Sequence, residues 1–297
     1  MGTPDFAVPS LQILLENGYD VVGVVTAPDK VRGRGQQLAP SPVKSMALQN
    51  GLKVLQPEKL RAHDFLDSLY ALGANLQVVV AFRMLPELVW AMPEYGTFNL
   101  HASLLPDYRG AAPINWAIIN GECKTGLTTF FIRQEIDTGH IIFQEEESIS
   151  DTDTAGDLHD RLMVRGAGLV LKTVRAIEVG DPETTVQPMQ GQFKSAPKIF
   201  REHCHIEWDR PAEEIRNLVR GLSPYPSAWT EIKGQVYKVH KVGISSRDYS
   251  DNPGEVFTDG RSFICVTTAD VPVELLEIQA SGKRKMTVRE FLRGNKL

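Results

Sequence analysis

Long apolar runs alternate with amphipathic stretches along the first 180 residues of the chain. Val21-Val22-Gly23-Val24-Val25 and Leu76-Gln77-Val78-Val79-Val80-Ala81-Phe82 are almost wholly apolar, the mark of strands in a sheet covered on both faces. Shorter runs predict strands at 54–55, 98–101, 125–132 and 141–149. Between them, apolar residues recur three and four apart, and Pro, Gly and Asn stand where helices begin and stop. The spacing predicts helices over 4–15, 41–50, 64–72, 111–120 and 154–179, the last weakened by Gly166 and Gly168 inside it. Strands and helices alternating in this way predict an α/β layered fold.

The pattern fails after Gly180. Pro182, Pro188, Gly191 and Pro197 interrupt it, and Lys194, Lys198 and Arg201 make its far end basic. Residues 181–202 therefore read as a linker between a first domain, 1–180, and a second, 203–297. In the second, a strand at 206–208 and a helix at 211–220 precede short β runs at 228–232, 236–242, 254–258, 262–267 and 273–279. Turn residues separate these runs at regular intervals, which predicts a small β-barrel.

At 297 residues the chain is long enough for two cores. Its 42% hydrophobic and 23% charged residues are those of a globular chain, and no apolar run nears the roughly 20 residues of a membrane helix. No secretory signal opens the sequence. The net charge of −5 excludes a generally basic nucleic-acid binder, so RNA contact would need a local cluster of cations. Cys123, Cys204 and Cys265 are odd in number and far apart. No disulfide framework is expected from them, in keeping with a reducing cytoplasm. His203-Cys204-His205 is no metal motif, since neighbours on a strand face opposite ways and no second ligand pair follows.

Phe98-Asn99-Leu100-His101 holds the clearest candidate chemistry. Asn99 and His101 lie two apart, so in a strand they share a face. Leu104-Leu105-Pro106 then turns the chain away. Polar groups at the C-terminal ends of strands are where open α/β sheets bind ligands. Asp137 sits in a turn-forming Asp-Thr-Gly after the 125–132 strand. The expectation is that Asp137 meets His101 across the mouth of a pocket. On spacing alone, a structural histidine and an ordinary turn stay open as readings. Lys30, Arg32 and Arg34 stand beside Gly33 and Gly35 in a positive loop. Such a loop suits a phosphate backbone, or simply solvent.

The run Asn99-Leu100-His101-Ala102-Ser103-Leu104-Leu105-Pro106, with Arg109-Gly110-Ala111-Ala112-Pro113-Ile114 and Ile136-Asp137-Thr138-Gly139, resembles the formyltransferases that use 10-formyltetrahydrofolate. Gly2-Thr3-Pro4-Asp5-Phe6, Gly33-Arg34-Gly35 and Pro40-Ser41-Pro42-Val43-Lys44 extend the likeness over nearly the whole chain, toward members that formylate methionyl-tRNA. The resemblance implies a Rossmann-like, doubly wound catalytic domain followed by an OB-like β-barrel that binds tRNA. It implies formyl transfer from 10-formyltetrahydrofolate, a co-substrate, to the α-amino group of initiator methionyl-tRNA, with no metal. A cytoplasmic monomer is expected.

On this reading Asn99, His101 and Asp137 are catalytic. Asn99 and protonated His101 donate to the formyl oxyanion, while Asp137 supports the imidazole and accepts a proton. Ser103, Leu104, Leu105, Pro106, Phe82, Arg83, Met84, Leu85 and Ile136 are expected to line the folate site. Lys30, Arg32, Arg34, Lys194, Lys198 and Arg201 are expected to contact tRNA. Arg109 has a second reading, as a clamp on its own turn. The sequence departs from the family's pattern twice. The loop after Phe82 is one residue shorter than usual and lacks a Gly after the aromatic. The family's central strand, which precedes Gly-Thr-Pro, is missing, so the natural protein is expected to be longer at this end.

Overall fold

A computed structural model describes the chain except residues 33–36, 181, 189, 248–251 and 296–297. The chain forms two compact units that interleave in sequence. The first comprises Met1–Gly110, Gly126–Glu147 and His159–Lys194, and the second Ala111–Thr125, Ser148–Leu158 and Ser195–Leu297. Among the described residues no helix is long and apolar enough to cross a membrane.

The first unit is built on a four-stranded sheet in the order Gln77–Val80, Thr97–His101, Lys124–Phe131, Ile141–Ser148. The first two strands are parallel, with Val80 opposite Leu100, and the third runs antiparallel, with Thr128 opposite His101. Phe98, Leu100, Leu127 and Phe130 fill the buried positions. The helix Ala155–Val179 lies close to this sheet: a Cβ added at Gly166 would stand 2.7 Å from Leu100 Cδ2. The glycine that weakens the helix by propensity is thus the one that admits the strand side chain. The helix Pro42–Gln49 begins as the sequence predicts, with the Ser41 hydroxyl accepting from the Lys44 amide at 3.0 Å and Pro in the first turn.

Beside that sheet, Val24–Val25 pairs in parallel with Val54–Leu55. Met1 and Gly2 connect the two sheets. The Gly2 amide donates to Val25 O at 3.0 Å, the Val80 amide to Met1 O at 2.9 Å, and the Met1 amine to Val78 O at 2.6 Å. Burial pushes that amine down to about 5. Past this pair lies a cavity of about 560 Å3, lined among others by Val21, Val22, Gly23, Leu76 and Val78. The apolar run at 21–25 is a strand only at Val24–Val25, and among the described residues the rest of it has no ladder partner.

In the second unit a curled antiparallel sheet, OB-like, runs in the order Ala228–Ile232, Gln235–Ile244, Val273–Ala280, Ile264–Val266, Val256–Thr258. Met286–Thr287 adds to Val273–Ala280. The register shifts around Lys241, an irregularity of the kind that bends a sheet. Ile206, Ile215, Leu222, Ile264 and Leu275 are fully buried in its core. The helices Pro113–Ile119 and Ala212–Gly221 meet here, the Asn115 amide donating to Gly221 O at 2.7 Å.

Two local expectations change. Residues 206–208 form no strand; an isolated bridge joins His205 to Trp229 instead. The basic loop carries a hairpin, Lys30–Arg32 against Gln37–Ala39. A last helix, Val288–Gly294, starts at a capping box between Thr287 and Glu290.

Candidate active site

The parallel pairing of Gln77–Val80 with Thr97–His101 sends both strands out at one edge of the sheet. The loop after Phe82 and the loop after His101 therefore leave side by side. Asn99 and His101 share a face, as their spacing requires. Asn99 is half-buried, and among the described residues its amide makes no side-chain hydrogen bond. His101 is buried, and its Nε2 lies 2.8 Å from the carbonyl oxygen of Tyr108. A carbonyl only accepts, so Nε2 carries the hydrogen. Nδ1 is left to face Asp137, whose Oδ2 is 3.9 Å away.

Asp137 is held from three directions. It takes a left-handed backbone conformation, φ 55°, which Asp tolerates better than most residues. Its Oδ2 accepts from the Gly110 amide at 2.9 Å, and its carbonyl accepts from Gln187 Nε2 at 3.0 Å. Two residues on, a Cβ at Gly139 would stand 1.5 Å from Phe131 O, so only glycine fits. The Asp-Thr-Gly is a turn, as its composition says, and one pressed against the strand it leaves.

The loop after His101 is tied to the sheet by a buried threonine. Thr128 Oγ1 donates to Ser103 O at 2.6 Å and accepts from the Leu105 amide at 3.2 Å. Gln144 Nε2 donates to Leu105 O at 2.8 Å. Ser103 Oγ donates to Asp107 O at 2.7 Å. Ser103 and Leu105 are both buried, and these backbone groups are engaged inside the protein. Leu104 and Pro106, the latter after a cis peptide, are half-buried.

The other expected lining residues divide in the same way. Leu85 belongs to the core with Val25, Phe65 and Val89. Arg83 donates to the carbonyl oxygens of Pro57 and Glu58, which fastens the loop. Its guanidinium also stands 5.6 Å from the Phe82 ring centre. Met84 and Ile136 are open, 72% and 60% exposed. A cavity of about 180 Å3 is lined by Leu60, Arg61, Arg83, Met84 and Pro86. Among the described residues no group of three His, Cys, Asp or Glu side chains is placed to hold a metal ion.

Of the expected RNA contacts, Lys30 and Arg32 lie on the hairpin of the first unit, and Arg34 lies outside the described residues. That hairpin is rooted at Asp29, whose carboxylate takes Lys44 Nζ at 2.6 Å and Gln56 Nε2 at 2.8 Å. The hydrogen bond from Lys44 holds its carboxyl below the usual range. Lys194 closes the first unit, its amide donating to Asp107 Oδ1 at 2.9 Å. Lys198 and Arg201 belong to the second unit. There Lys198 stands 5.3 Å from the Phe200 ring centre and Arg201 5.2 Å from that of Trp229.

Residues 1–174 match the family described as formyl transferase, and residues 198–296 match the formyl transferase C-terminal domain. The chain is 50% identical to the methionyl-tRNA formyltransferase of Bacteroides fragilis over 302 residues, covering 99% of this chain and 93% of that protein. It is 51% identical to the methionyl-tRNA formyltransferase of Parabacteroides distasonis over 306 residues, covering 100% and 94%. This chain belongs to the formyl transferase family, among its methionyl-tRNA formyltransferases. The fold is also that of WlaRD, a sugar 3N-formyl transferase solved in the presence of dTDP and 5-N-formyl-THF. The TM-score is 0.67 at 24% identity, covering 95% of this chain and 97% of that one.

Proposed function

We propose that the protein transfers the formyl group of 10-formyltetrahydrofolate to the α-amino group of initiator methionyl-tRNA, acting in the cytoplasm as a monomer. About half of all positions match the methionyl-tRNA formyltransferases, over nearly the full length of both chains, and this observation carries the reading. The approach of Asn99, His101 and Asp137 at one sheet edge supports it.

The neutral amine attacks the formyl carbon, and negative charge develops on the formyl oxygen. The Asn99 amide and the Nδ1 of His101 are the donors assigned to that oxygen. A preorganised donor of this kind contributes roughly 10²–10³ in rate. Tyr108 O keeps Nε2 occupied, so the proton that matters is on Nδ1. Asp137 Oδ2 faces that nitrogen and supports its positive charge, while Oδ1 takes the proton lost by the amine, directly or through water. The bond from the formyl carbon to N10 then breaks, N10 takes up the proton held at Asp137, and tetrahydrofolate leaves.

Ser103, Leu104, Leu105, Pro106, Phe82, Arg83, Met84, Leu85 and Ile136 are the folate-lining residues of this reading. The tRNA contacts are Lys30, Arg32, Arg34, Lys194, Lys198 and Arg201. We assign 1–180 to catalysis, 181–202 to the linker and 203–297 to tRNA binding. The test is formylation of charged initiator and elongator tRNA by the purified chain. Formyl transfer to the initiator, well above the elongator, is the expected result. Transfer only to a sugar or nucleotide amine would overturn it.

A further inference from the structure

Gln187 lies in the stretch whose prolines and glycines make it look like a bare linker. It is 1% exposed. Thr185 and Ile141 exchange both backbone hydrogen bonds at 2.8 Å, which staples the segment to the start of the Ile141–Ser148 strand. Val186 then faces out and Gln187 in. The buried amide has every obvious partner. Its Oε1 accepts from Arg109 Nη2 at 2.6 Å and from Nε at 3.2 Å. Its Nε2 donates to Asp137 O at 3.0 Å and to Gly139 O at 2.8 Å.

These partners fix the amide's orientation. Arginine only donates and carbonyls only accept, so the flipped amide would set like against like on both sides. A glutamate would keep the arginine and face two carbonyl oxygens with a third oxygen. A methionine would leave the carbonyls of Asp137 and Gly139 and the Arg109 guanidinium without this partner.

What the amide grips is the backbone on either side of Thr138, the turn that carries Asp137. That turn holds a left-handed Asp whose carboxylate must reach Gly110 and the His101 ring. Arg109, the other side of the grip, is the residue just before Gly110. One buried amide therefore ties the Arg109 side chain to the backbone of the 137–139 turn, and the Asp137 carboxylate is set between that turn and Gly110.

We infer that Gln187 is a positioning residue for formyl transfer, which sets the Asp137 carboxylate against His101 and touches neither substrate. This rests on the assignment of Asp137 to the reaction, and the test separates the two. Single-turnover rates are measured for wild type, Asp137→Asn, Gln187→Glu and the double variant, with KM for each substrate and thermal melts alongside. Asp137→Asn on its own tests the site: a loss of at least a hundredfold supports it, and a near-wild-type rate rejects it whatever Gln187 does. Given that loss, Gln187→Glu is expected to slow the rate at least tenfold while both KM values stay within twofold. In the Asp137→Asn background the same change is expected to cost less than twofold, because the group it positions is already gone.

Equal losses in the two backgrounds would overturn the inference, as would a wild-type rate for Gln187→Glu or a rise in KM that accounts for the defect. Should Gln187→Glu not fold, Gln187→Asn draws the amide back by one methylene and is expected to give the same split between rate and KM. Arg109→Met removes only the far side of the grip and is expected to cost less than Gln187→Glu. A larger loss from Arg109→Met would assign the role to the arginine instead.

Discussion

His101 gives its Nε2 hydrogen to the carbonyl oxygen of Tyr108, 2.8 Å away, and so presents Nδ1 toward Asp137. The two ring nitrogens have different work. His101→Gln can place an amide nitrogen where Nε2 stood and keep the Tyr108 bond, but it has nothing at Nδ1. It is expected to fold with near-native stability and to lose at least a hundredfold in rate. His101→Ala leaves the Tyr108 carbonyl buried without this partner and is expected to cost a further ~1–3 kcal/mol of stability. Denaturant titration beside the rate assay separates the two effects.

Two glycines in one helix are expected to behave oppositely. Gly168 is exposed with nothing within 4 Å of an added Cβ, while at Gly166 that atom meets Leu100 at 2.7 Å. Gly168→Ala is expected to stabilise the protein by about 0.5–1 kcal/mol. Gly166→Ala is expected to destabilise it, since Leu100 sits between Asn99 and His101 and has a packed core around it. Melting temperatures of the two variants make the comparison.

The cysteines divide by burial. Cys123 is exposed, while Cys204 and Cys265 are buried with thiols whose pKa is raised first by that burial. A thiol reagent is expected to modify one cysteine rapidly in the native protein and all three after denaturation. Cys123→Ser should remove the fast phase.

His240 is buried in the second unit, and among the described residues its Nδ1 finds no hydrogen-bond partner. Desolvation by burial pushes its pKa down, ahead of a bond to Gln279 that raises it and of Lys285 and Lys238, which lower it. Below the unfolded value of about 6.5 the unfolded chain binds a proton that the folded chain resists. The stability this group allows is therefore full above that pH and falls as the pH drops through it. His240→Leu is expected to flatten the acid side of the stability curve below pH ~6.5, measured by urea unfolding as a function of pH.

What could be read from the sequence follows what is local. The helix that starts after Ser41, the strand at Gln77–Val80 and the helix ending at Val179 are carried by neighbours in the chain, and they stand where the spacing puts them. The pairing of His101 with Asp137 is not local, and it was legible through resemblance. Gln187 was not legible, because its partners, Arg109 and the Asp137–Gly139 turn, are some 50 to 80 residues away and its own surroundings look like linker. The inward anchoring of the loops after Phe82 and His101 was not legible for a related reason. Leu85, Ser103 and Leu105 lie next to the site in sequence, yet each turns inward to a core group or to Thr128.

The central claim is that one carboxylate, one imidazole and one amide act on a single formyl carbon. Its most direct test is a single-turnover transfer of labelled formyl from 10-formyltetrahydrofolate to methionyl-initiator tRNA, comparing wild type with Asn99→Ala, His101→Gln and Asp137→Asn. The account predicts losses of at least a hundredfold in all three, with tRNA binding unchanged. Wild-type transfer in any one of them would contradict it.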